Sequence, residues 1–318
     1  MTKKSSPIYP ILLLVAAIIW GFAFVAQDLA SGLGAFTIGG VRNIFATVFL
    51  LLTLPLIDKV KKNGRSILPN RSNLPPFTKD EIKYGAICGG FLTLASVLQQ
   101  TGINHGSEVG IASFITALYV VMVPIFALFF GKRSGVTVYL SAVVAIIGFY
   151  LLCVSDGFSV STPDILVLLG AITFSMHILS IDKAVTVCDG TRVATLQFAF
   201  SAVYNWICIP IFEGSTFSIA AVGNAILPLL FLGIGSSGIA YTLQIIGQEG
   251  TPPAAAALIL SLESVFGVIG AVLVLGDRLT PREYIGCAVV FLAVIMAEID
   301  LGAVIKKAVI QKIKNKNK

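Results

Sequence analysis

A long apolar stretch with a single ionisable residue decides the fold class of this sequence. It reads ALILSLESVFGVIGAVLVLG, at residues 257–276, and Glu263 is its one residue that can carry a charge. A helix needs about 20 apolar residues to cross the hydrocarbon core of a bilayer, which is about 30 Å thick. The stretch therefore predicts a transmembrane helix with a carboxyl group near the middle of the membrane.

The rest of the chain repeats this pattern. Of its 318 residues, 56% are hydrophobic and 12% are charged, whereas soluble domains average about 45–50% apolar and about 25% charged residues. The apolar runs are continuous, which excludes a transmembrane β-barrel, because its strands alternate apolar and polar residues. We predict an all-α integral membrane protein with ten transmembrane helices, at residues 8–30, 36–57, 82–104, 109–130, 136–154, 165–181, 193–212, 225–247, 253–275 and 284–299.

The distribution of positive charge predicts the orientation of the chain. With the N-terminus in the cytoplasm, 19 of the 22 Lys and Arg residues fall on the cytoplasmic side, while Arg278 and Arg282 lie outside and Arg42 lies within the second segment. The positive-inside rule then places both termini in the cytoplasm. The net charge of +6 thus reflects topology and not a nucleic-acid partner, and the basic tail is either a solvated end or a contact with anionic lipid.

An internal repeat divides the chain into two halves. AIIWGFAFVAQDLA from Ala17 aligns with AITFSMHILSIDKA from Ala171. Later matches keep the same order: Pro55 with Pro210, Gly106 with Gly250, Leu118 with Leu262, and GKR at Gly131 with GDR at Gly276. Because five segments is an odd number, the second half starts from the opposite side of the membrane, which makes the halves inverted repeats.

The repeat also sets the predicted domain boundaries. We place the first five-helix repeat at residues 1–155, with a cytosolic linker at residues 58–83, and the second repeat, with the basic cytosolic tail, at residues 156–318. The first segment follows Lys3 and Lys4 and resembles a secretory signal, but its later counterpart favours retention. The five cysteines form no C-x-x-C pair and indicate neither a disulfide framework nor a metal site, and no cofactor is predicted.

Several sequence features carry a resemblance to a known family. They are the five-plus-five plan, Trp20-Gly21 in the first segment, Arg42 within VRNIFA, and GDRLTPREYIG before the last segment. In these features the chain closely resembles the EamA-type members of the drug/metabolite transporter superfamily, over nearly its whole length. It departs from the pattern at Ser264, where many relatives have proline. The resemblance implies a carrier of small organic metabolites in the plasma (inner) membrane, often an exporter, with a central cavity between the halves.

Glu263 is the main candidate for a functional residue. It lies near the middle of its segment, where an ionisable side chain is costly and usually faces a cavity or a partner. The small residues Ala256, Gly267 and Gly270 share roughly its helix face, which indicates that this face meets other helices or a space and not lipid. The alternative is a structural role, as a neutral carboxylic acid hydrogen-bonded to a neighbouring helix.

Other polar and aromatic residues could share a site with Glu263. Arg42 could point inward, in a gating or ion-pair role that includes a pair with Glu263, or snorkel to the interface. His177 could relay protons or be a satisfied core histidine. Tyr119 is the repeat counterpart of Glu263, and Pro124 could bend its helix. Four further residues could form an aromatic and polar wall suited to an organic cation or zwitterion: Trp20, Phe24, Tyr241 and Gln244. The alternative for each of them is ordinary packing. Asn104, with its neighbours His105 and Glu108, is expected in a solvated loop.

These features predict a secondary-active transporter of small organic metabolites, such as amino acids or organic cations, that works by alternating access between inverted halves. The alternative is a lipid or lipid-carrier flippase with the same architecture, which should present basic pockets for a phosphate head group. The sequence has no hydrolase or protease motif and no nucleotide-binding G-x-x-x-x-G-K-[ST] motif, so we predict no enzyme activity and no ATP-driven step. The expected partners are a small-molecule substrate and the lipid bilayer, and a homodimer is a possible assembly.

Overall fold

A computed structural model describes residues 7–60, 77–107, 109–153, 161–275 and 279–298 of the chain, and the regular structure in these ranges is helical throughout. Two stretches, Ile209–Glu213 and Phe231–Ala240, are π-helical. The α-helices are α1 (Ile8–Leu29), α2 (Ala35–Val60), α3 (Lys79–Asn104), α4 (Val109–Ala117), α5 (Tyr119–Phe129), α6 (Val136–Cys153), α7 (Thr162–Ala184), α8 (Gly190–Cys208), α9 (Ile219–Asn224), α10 (Ile226–Leu230), α11 (Tyr241–Gln248), α12 (Pro253–Leu260), α13 (Glu263–Leu275) and α14 (Pro281–Glu298).

The helix lengths confirm the prediction of an all-α, multi-pass membrane protein. Within the described ranges, eight helical stretches are long and apolar enough to cross a bilayer. The fifth and tenth predicted segments, in α6 and α14, are not among these eight, and the apolar part found for α6 within the described residues is Val136–Leu151. The number of ten spans therefore stays a prediction. So do the cytoplasmic termini, since residues 1–6 and 299–318 lie outside the described residues.

Polar contacts hold together the end of the bundle at which α1 begins, which we call the first face. The Lys132 ammonium pairs with Asp182, and Arg192 Nε lies 3.1 Å from Glu81 Oε1. Glu81 also forms a capping box with Thr78, so α3 begins before residue 82, where the segment was predicted to start. Because α2 also continues to Val60, both helices extend into the predicted linker, of which residues 61–76 are not described.

A different set of contacts lies at the opposite end, which we call the second face. Glu213 accepts hydrogen bonds from the backbone N–H groups of Phe36 and Thr37, both at 2.8 Å, and from the Thr37 hydroxyl at 2.7 Å. A carboxylate at the start of α2 also interacts favourably with the helix dipole. Asn104 was expected in a solvated loop but is only partly exposed, and its Nδ2 donates to the Leu33 carbonyl at 2.9 Å.

The two halves of the chain interleave. Helix α1 packs against α11 and α13, α2 packs against α8, α3 packs against α7 and α8, and α6 packs against α14. Each of these pairs joins the first half to the second. Packing and polar contacts, with lipid on the outside, must hold such pairs together, and small residues help because they let backbones approach closely. The fold therefore places its interior, and any site within it, between the halves.

Glycine makes such a close approach possible where α1 crosses α13. A Cβ atom added at Gly21 would collide with the Cβ and backbone of Phe266 and with the backbone of Gly267, whereas one added at Gly32 would meet nothing within 4 Å. We predict that Gly21→Ala destabilises the protein by about 1–3 kcal/mol, as overpacked cores do. Gly32→Ala is the matched control and should change little. Thermal unfolding in detergent measures both, and equal stability of the two variants would contradict the packing described here.

Candidate functional site

A cavity lies in the interior of the bundle, between the two halves. The space between its atoms, with the open side included, is about 550 Å³. Its walls come from α1, α2 and α3, from the two broken segments α4–α5 and α12–α13, from α7, and from the segment around α11. All eight residues singled out from the sequence line this cavity: Trp20, Phe24, Arg42, Tyr119, His177, Tyr241, Gln244 and Glu263.

Two interrupted helices place Tyr119 and Glu263 at the cavity. Helix α4 ends at Ala117 and α5 begins at Tyr119, while α12 ends at Leu260 and α13 begins at Glu263. Each copy of the repeat therefore contains a broken helix. Each break is a single tight turn within one apolar span, Ile111–Phe129 in the first copy and Pro253–Val274 in the second.

The interruptions have the same local cause in both copies. Leu118 N donates to Ile115 O and Leu262 N donates to Ile259 O, each at 3.2 Å, so the backbone tightens from the α-helical to the i→i+3 pattern at matched leucines. The first break lies at Leu118 and not at Pro124, which stays inside α5. The second half has the same break without that proline, so proline does not account for the interruption.

Glu263 and Tyr119 meet in the cavity wall. The Tyr119 hydroxyl donates to Glu263 Oε1 at 3.1 Å, and only 6% of Glu263 is exposed. Glu263 follows directly after the tight turn between α12 and α13. The contacts of the described residues show a hydrogen-bond partner for one carboxylate oxygen only. Since Glu263 lines the cavity, the group can accept a further donor or a proton from that side.

Arg42 is buried at the cavity and does not snorkel. Only 8% of the residue is exposed, and the guanidinium donates from Nε to Ser237 Oγ at 3.0 Å and from Nη2 to Ser236 Oγ at 2.9 Å. Among the described residues, its hydrogen bonds thus go to serine hydroxyls, and the structure shows no ion pair with Glu263.

The π-helical stretch Phe231–Ala240 connects the cation to the aromatic wall. Besides its hydroxyl contact with Arg42, Ser236 accepts a hydrogen bond from Trp20 Nε1 on its backbone carbonyl, at 3.2 Å. The Trp20 ring lies 4.5 Å from the Tyr241 ring between centroids, and the His177 ring lies 5.8 Å from it, edge on. Isolated π-helical turns often occur at functional sites, and here the stretch holds Arg42 and Trp20 together.

The remaining predicted residues are buried and only partly satisfied. His177 Nε2 lies 3.1 Å from Gln197 Oε1, and 1% of the histidine is exposed. This partner supports the reading of a satisfied core histidine, although the ring also lines the cavity. Gln244 is equally buried, and its Oε1 has no hydrogen-bond partner. An unpaired buried acceptor costs about 1–3 kcal/mol if nothing binds it, so this amide is suited to meet a ligand or water.

Sequence reasoning missed five polar residues in the cavity wall: Gln27, Ser96, Gln99, Thr116 and Ser236. Gln27 and Gln99 could have been found, because an amide inside an apolar segment is a signal of the same kind as a charge. The hydroxyl residues give no such signal. Serine and threonine in membrane helices often bond their own backbone, as Ser175 does with the Ala171 carbonyl at 2.9 Å.

The side chains that line the cavity offer two kinds of polar contact. Glu263 and the Gln244 amide oxygen can accept from a cationic or hydrogen-bond-donating group, the rings of Trp20 and Tyr241 can stack on a cation, and Arg42 can meet an anionic group. Within the described residues, no group of three or more His, Cys, Asp or Glu side chains is placed to hold a metal ion.

Comparisons with known proteins point to one family. A sequence model described as the EamA-like transporter family matches residues 7–154 and again residues 161–298. The chain is 30% identical over 300 residues to a protein of Archaeoglobus fulgidus described as an uncharacterized transporter, an alignment that covers 90% of this chain and 84% of that protein. A solved crystal structure superimposes with a TM-score of 0.69 over 91% of this chain and 96% of its own. At 16% identity, that likeness concerns the fold alone.

The contacts of Arg42 generate a prediction about stability. Replacing both Ser236 and Ser237 with Ala should destabilise the protein by about 1–3 kcal/mol, the range for leaving a buried polar group without partners. Ser175→Ala is the matched control, since that buried serine bonds only its own helix, and it should cost less. Thermal unfolding measures the three proteins, and a double variant no less stable than the control would contradict the role of the serines.

Proposed function

This chain belongs to the EamA-like transporter family, within the drug/metabolite transporter superfamily, and on that premise we propose that it is a secondary-active exporter of a small zwitterionic metabolite, such as an amino acid. The observation that carries the proposal is the position of Glu263. Its carboxyl group lies in a cavity between the halves and is bonded by Tyr119 through one oxygen. The membrane-transporter class itself follows from the family and from the apolar helices.

The charges in the cavity favour a zwitterion over a simple organic cation. Glu263 supplies a partner for an ammonium group, and Trp20 and Tyr241 add an aromatic surface that attracts cations. These groups alone would suit a cation. Arg42 lines the same cavity without a carboxylate partner among the described residues, so a substrate carboxylate would complete its contacts. Arginine binds carboxylates well because its planar group offers two parallel donors.

Alternating access would follow from the inverted halves. The two broken helices meet at the cavity through Tyr119 and Glu263, one from each half, so a rocking motion of the halves would open the site to one side at a time. We propose that the termini are cytoplasmic and that the carrier resides in the plasma membrane. The sequence has no nucleotide-binding loop, so transport would draw on an ion gradient or on exchange.

Glu263 would also couple transport to protons. The substrate ammonium and a proton would compete for the same carboxyl group, so the carrier would export a substrate in one orientation and return with Glu263 protonated in the other. This scheme exchanges one proton for one substrate. The charge of Glu263 is neutralised by the substrate ammonium on the outward step and by the proton on the return step. Neutralisation matters because an unpaired charge is costly inside the membrane.

The substitution Glu263→Gln tests this proposal. We expect it to abolish or uncouple transport and to remove ligand binding, while the protein stays folded, because glutamine keeps the shape but can neither pair with an ammonium nor carry a proton. The measurement is thermal unfolding in detergent against a metabolite panel at two pH values. A ligand that binds only the folded state adds about 2.7 kcal/mol of stability at one hundred times its Kd.

Asp28→Asn is the matched control, because Asp28 is an exposed carboxyl residue of α1 and its change should leave the ligand effect intact. Equal ligand shifts in wild type and Glu263→Gln would place the binding site elsewhere. No shift with any compound would favour the lipid flippase, and wild-type transport and pH dependence in Glu263→Gln would refute the role of the carboxyl group.

A second substitution tests the zwitterion. We predict that wild type binds an amino acid better than the amine made from it by decarboxylation, and that Arg42→Gln removes this preference, because only the amino acid has a carboxylate for Arg42. The readout is the ratio, within each protein, of the rise in unfolding temperature caused by the amino acid to the rise caused by the amine. This ratio cancels any change in basal stability. A preference that survives in Arg42→Gln would count against an anion-binding role.

A further inference from the structure

A polar motif is repeated in α3 and around α11. When Gly106 is set on Gly250, the sequence around each glycine reads Q-x-x-x-[N/Q]-x-G-[S/T]. The matched pairs are Gln100 with Gln244, Asn104 with Gln248, and Ser107 with Thr251. In both copies the first two side chains are one helical turn apart and so lie on the same face of the helix. Because the repeats are inverted, the first copy runs toward the second face and the second copy runs toward the first face.

The first copy has most of its hydrogen bonds made. Gln100 Nε2 donates to Asn104 Oδ1 at 2.8 Å and more weakly to the Gln27 carbonyl at 3.5 Å. Asn104 is partly exposed and is anchored to the backbone of the loop after α1. Ser107 donates to Asp164 Oδ1 at 2.6 Å, at the start of α7. The Gln100 oxygen is the one buried polar atom of this copy without a partner.

The second copy has the same groups but lacks most of these bonds. Gln248 Nε2 donates to the Ile178 carbonyl at 3.1 Å, and Ile178 lines the central cavity. Gln244 Oε1, Gln248 Oε1 and Thr251 Oγ1 have no partner, although at most 5% of each residue is exposed. Three unpaired oxygens therefore follow one another from the cavity toward the first face. Buried polar atoms are rarely left without a partner.

We propose that the two motifs are the end sites of the transport route, one at each face, and that Gln244, Gln248 and Thr251 bind the ammonium or hydroxyl donors of the substrate on the side of the first face. The proposal rests on the proposed function and extends it to residues outside the central site. Gln244 belongs to both the central site and this end site, because it lines the cavity and begins the motif. A ligand that moves from Glu263 to Gln248 would therefore keep a hydrogen-bond acceptor on the way.

The difference between the copies indicates which end site is closed in this structure. Asn104 is partly exposed and fully bonded, whereas its counterpart Gln248 is buried with an oxygen unpaired. The apolar cluster that contains Leu13, Ala256 and Leu260 packs at this level of the bundle. Opening of the first face would expose Gln248 and Thr251 and allow them to bind the substrate. Asn104 would then become the buried residue of the pair that it forms with its repeat counterpart Gln248.

Thiol labelling in vesicles tests this proposal without any metabolite. Single cysteines are placed at Gln248 and at Asn104 in the full chain, after replacement of the native Cys88, Cys153, Cys188, Cys208 and Cys287. The probe is a membrane-impermeant trimethylammonium thiosulfonate, applied to either face, and a sulfonate reagent with the same reactive group is compared with it. Ile245→Cys is the matched control, because Ile245 is fully buried in an apolar cluster beside Gln244.

We expect Asn104→Cys to be labelled from one face, Gln248→Cys from the other, and Ile245→Cys from neither. Labelling of Gln248→Cys should exceed that of the control by about tenfold or more, since an exposed thiolate reacts and a packed one does not. The cationic reagent should also react faster there than the anionic one. Thr251→Cys is the second variant, in case Gln248→Cys fails to fold.

Three results would overturn the proposal: Gln248→Cys and Thr251→Cys as unreactive as the control from both faces, labelling of both end sites from the same face, or equal rates with the two reagents. The test is separate from the proposed function. If ligands raise the unfolding temperature in a way that depends on Glu263 but labelling fails, the end sites are refuted and the proposed function stands. If labelling succeeds but no ligand effect depends on Glu263, the proposed substrate site is refuted.

Discussion

The burial of one carboxyl group in the membrane interior is the constraint on which the rest of this structure depends. Glu263 can lie there because two features meet around it: the Tyr119 hydroxyl and a cavity. Removal of either would leave a charge or an acceptor in an apolar interior, which is costly.

The inverted repeat supplies that arrangement from both sides. Each half contributes a broken helix with a polar residue directly after the break, a tyrosine in one and a glutamate in the other. The halves thus share an architecture but differ in the side chain that each presents to the cavity. Ser264 shows how local sequence adapts to this setting. Its hydroxyl donates to the Ser113 carbonyl across the halves at 3.1 Å.

Much of the fold and the candidate site could be predicted from the sequence because membranes impose strong rules. Long apolar segments predict helices, and an ionisable residue within one stands out, so Glu263, Arg42 and His177 could be named as candidates. The family resemblance added the inward position of Arg42. The hydrogen-bond partners of these residues could not be predicted. That Arg42 bonds Ser236 and Ser237 depends on a π-helical stretch with no clear sequence signal. The sequence suggested a bend at Pro124, and the break at Leu118 was not predicted.

The central claim is that a small molecule binds between Glu263 and Arg42 within the cavity. An experimental structure of the protein with the metabolite that stabilises it most would test this claim directly. The account predicts an ammonium group of the ligand in hydrogen-bond contact with Glu263 and a carboxylate in contact with Arg42. A ligand bound outside the cavity, with Glu263 contacting protein atoms alone, would contradict it.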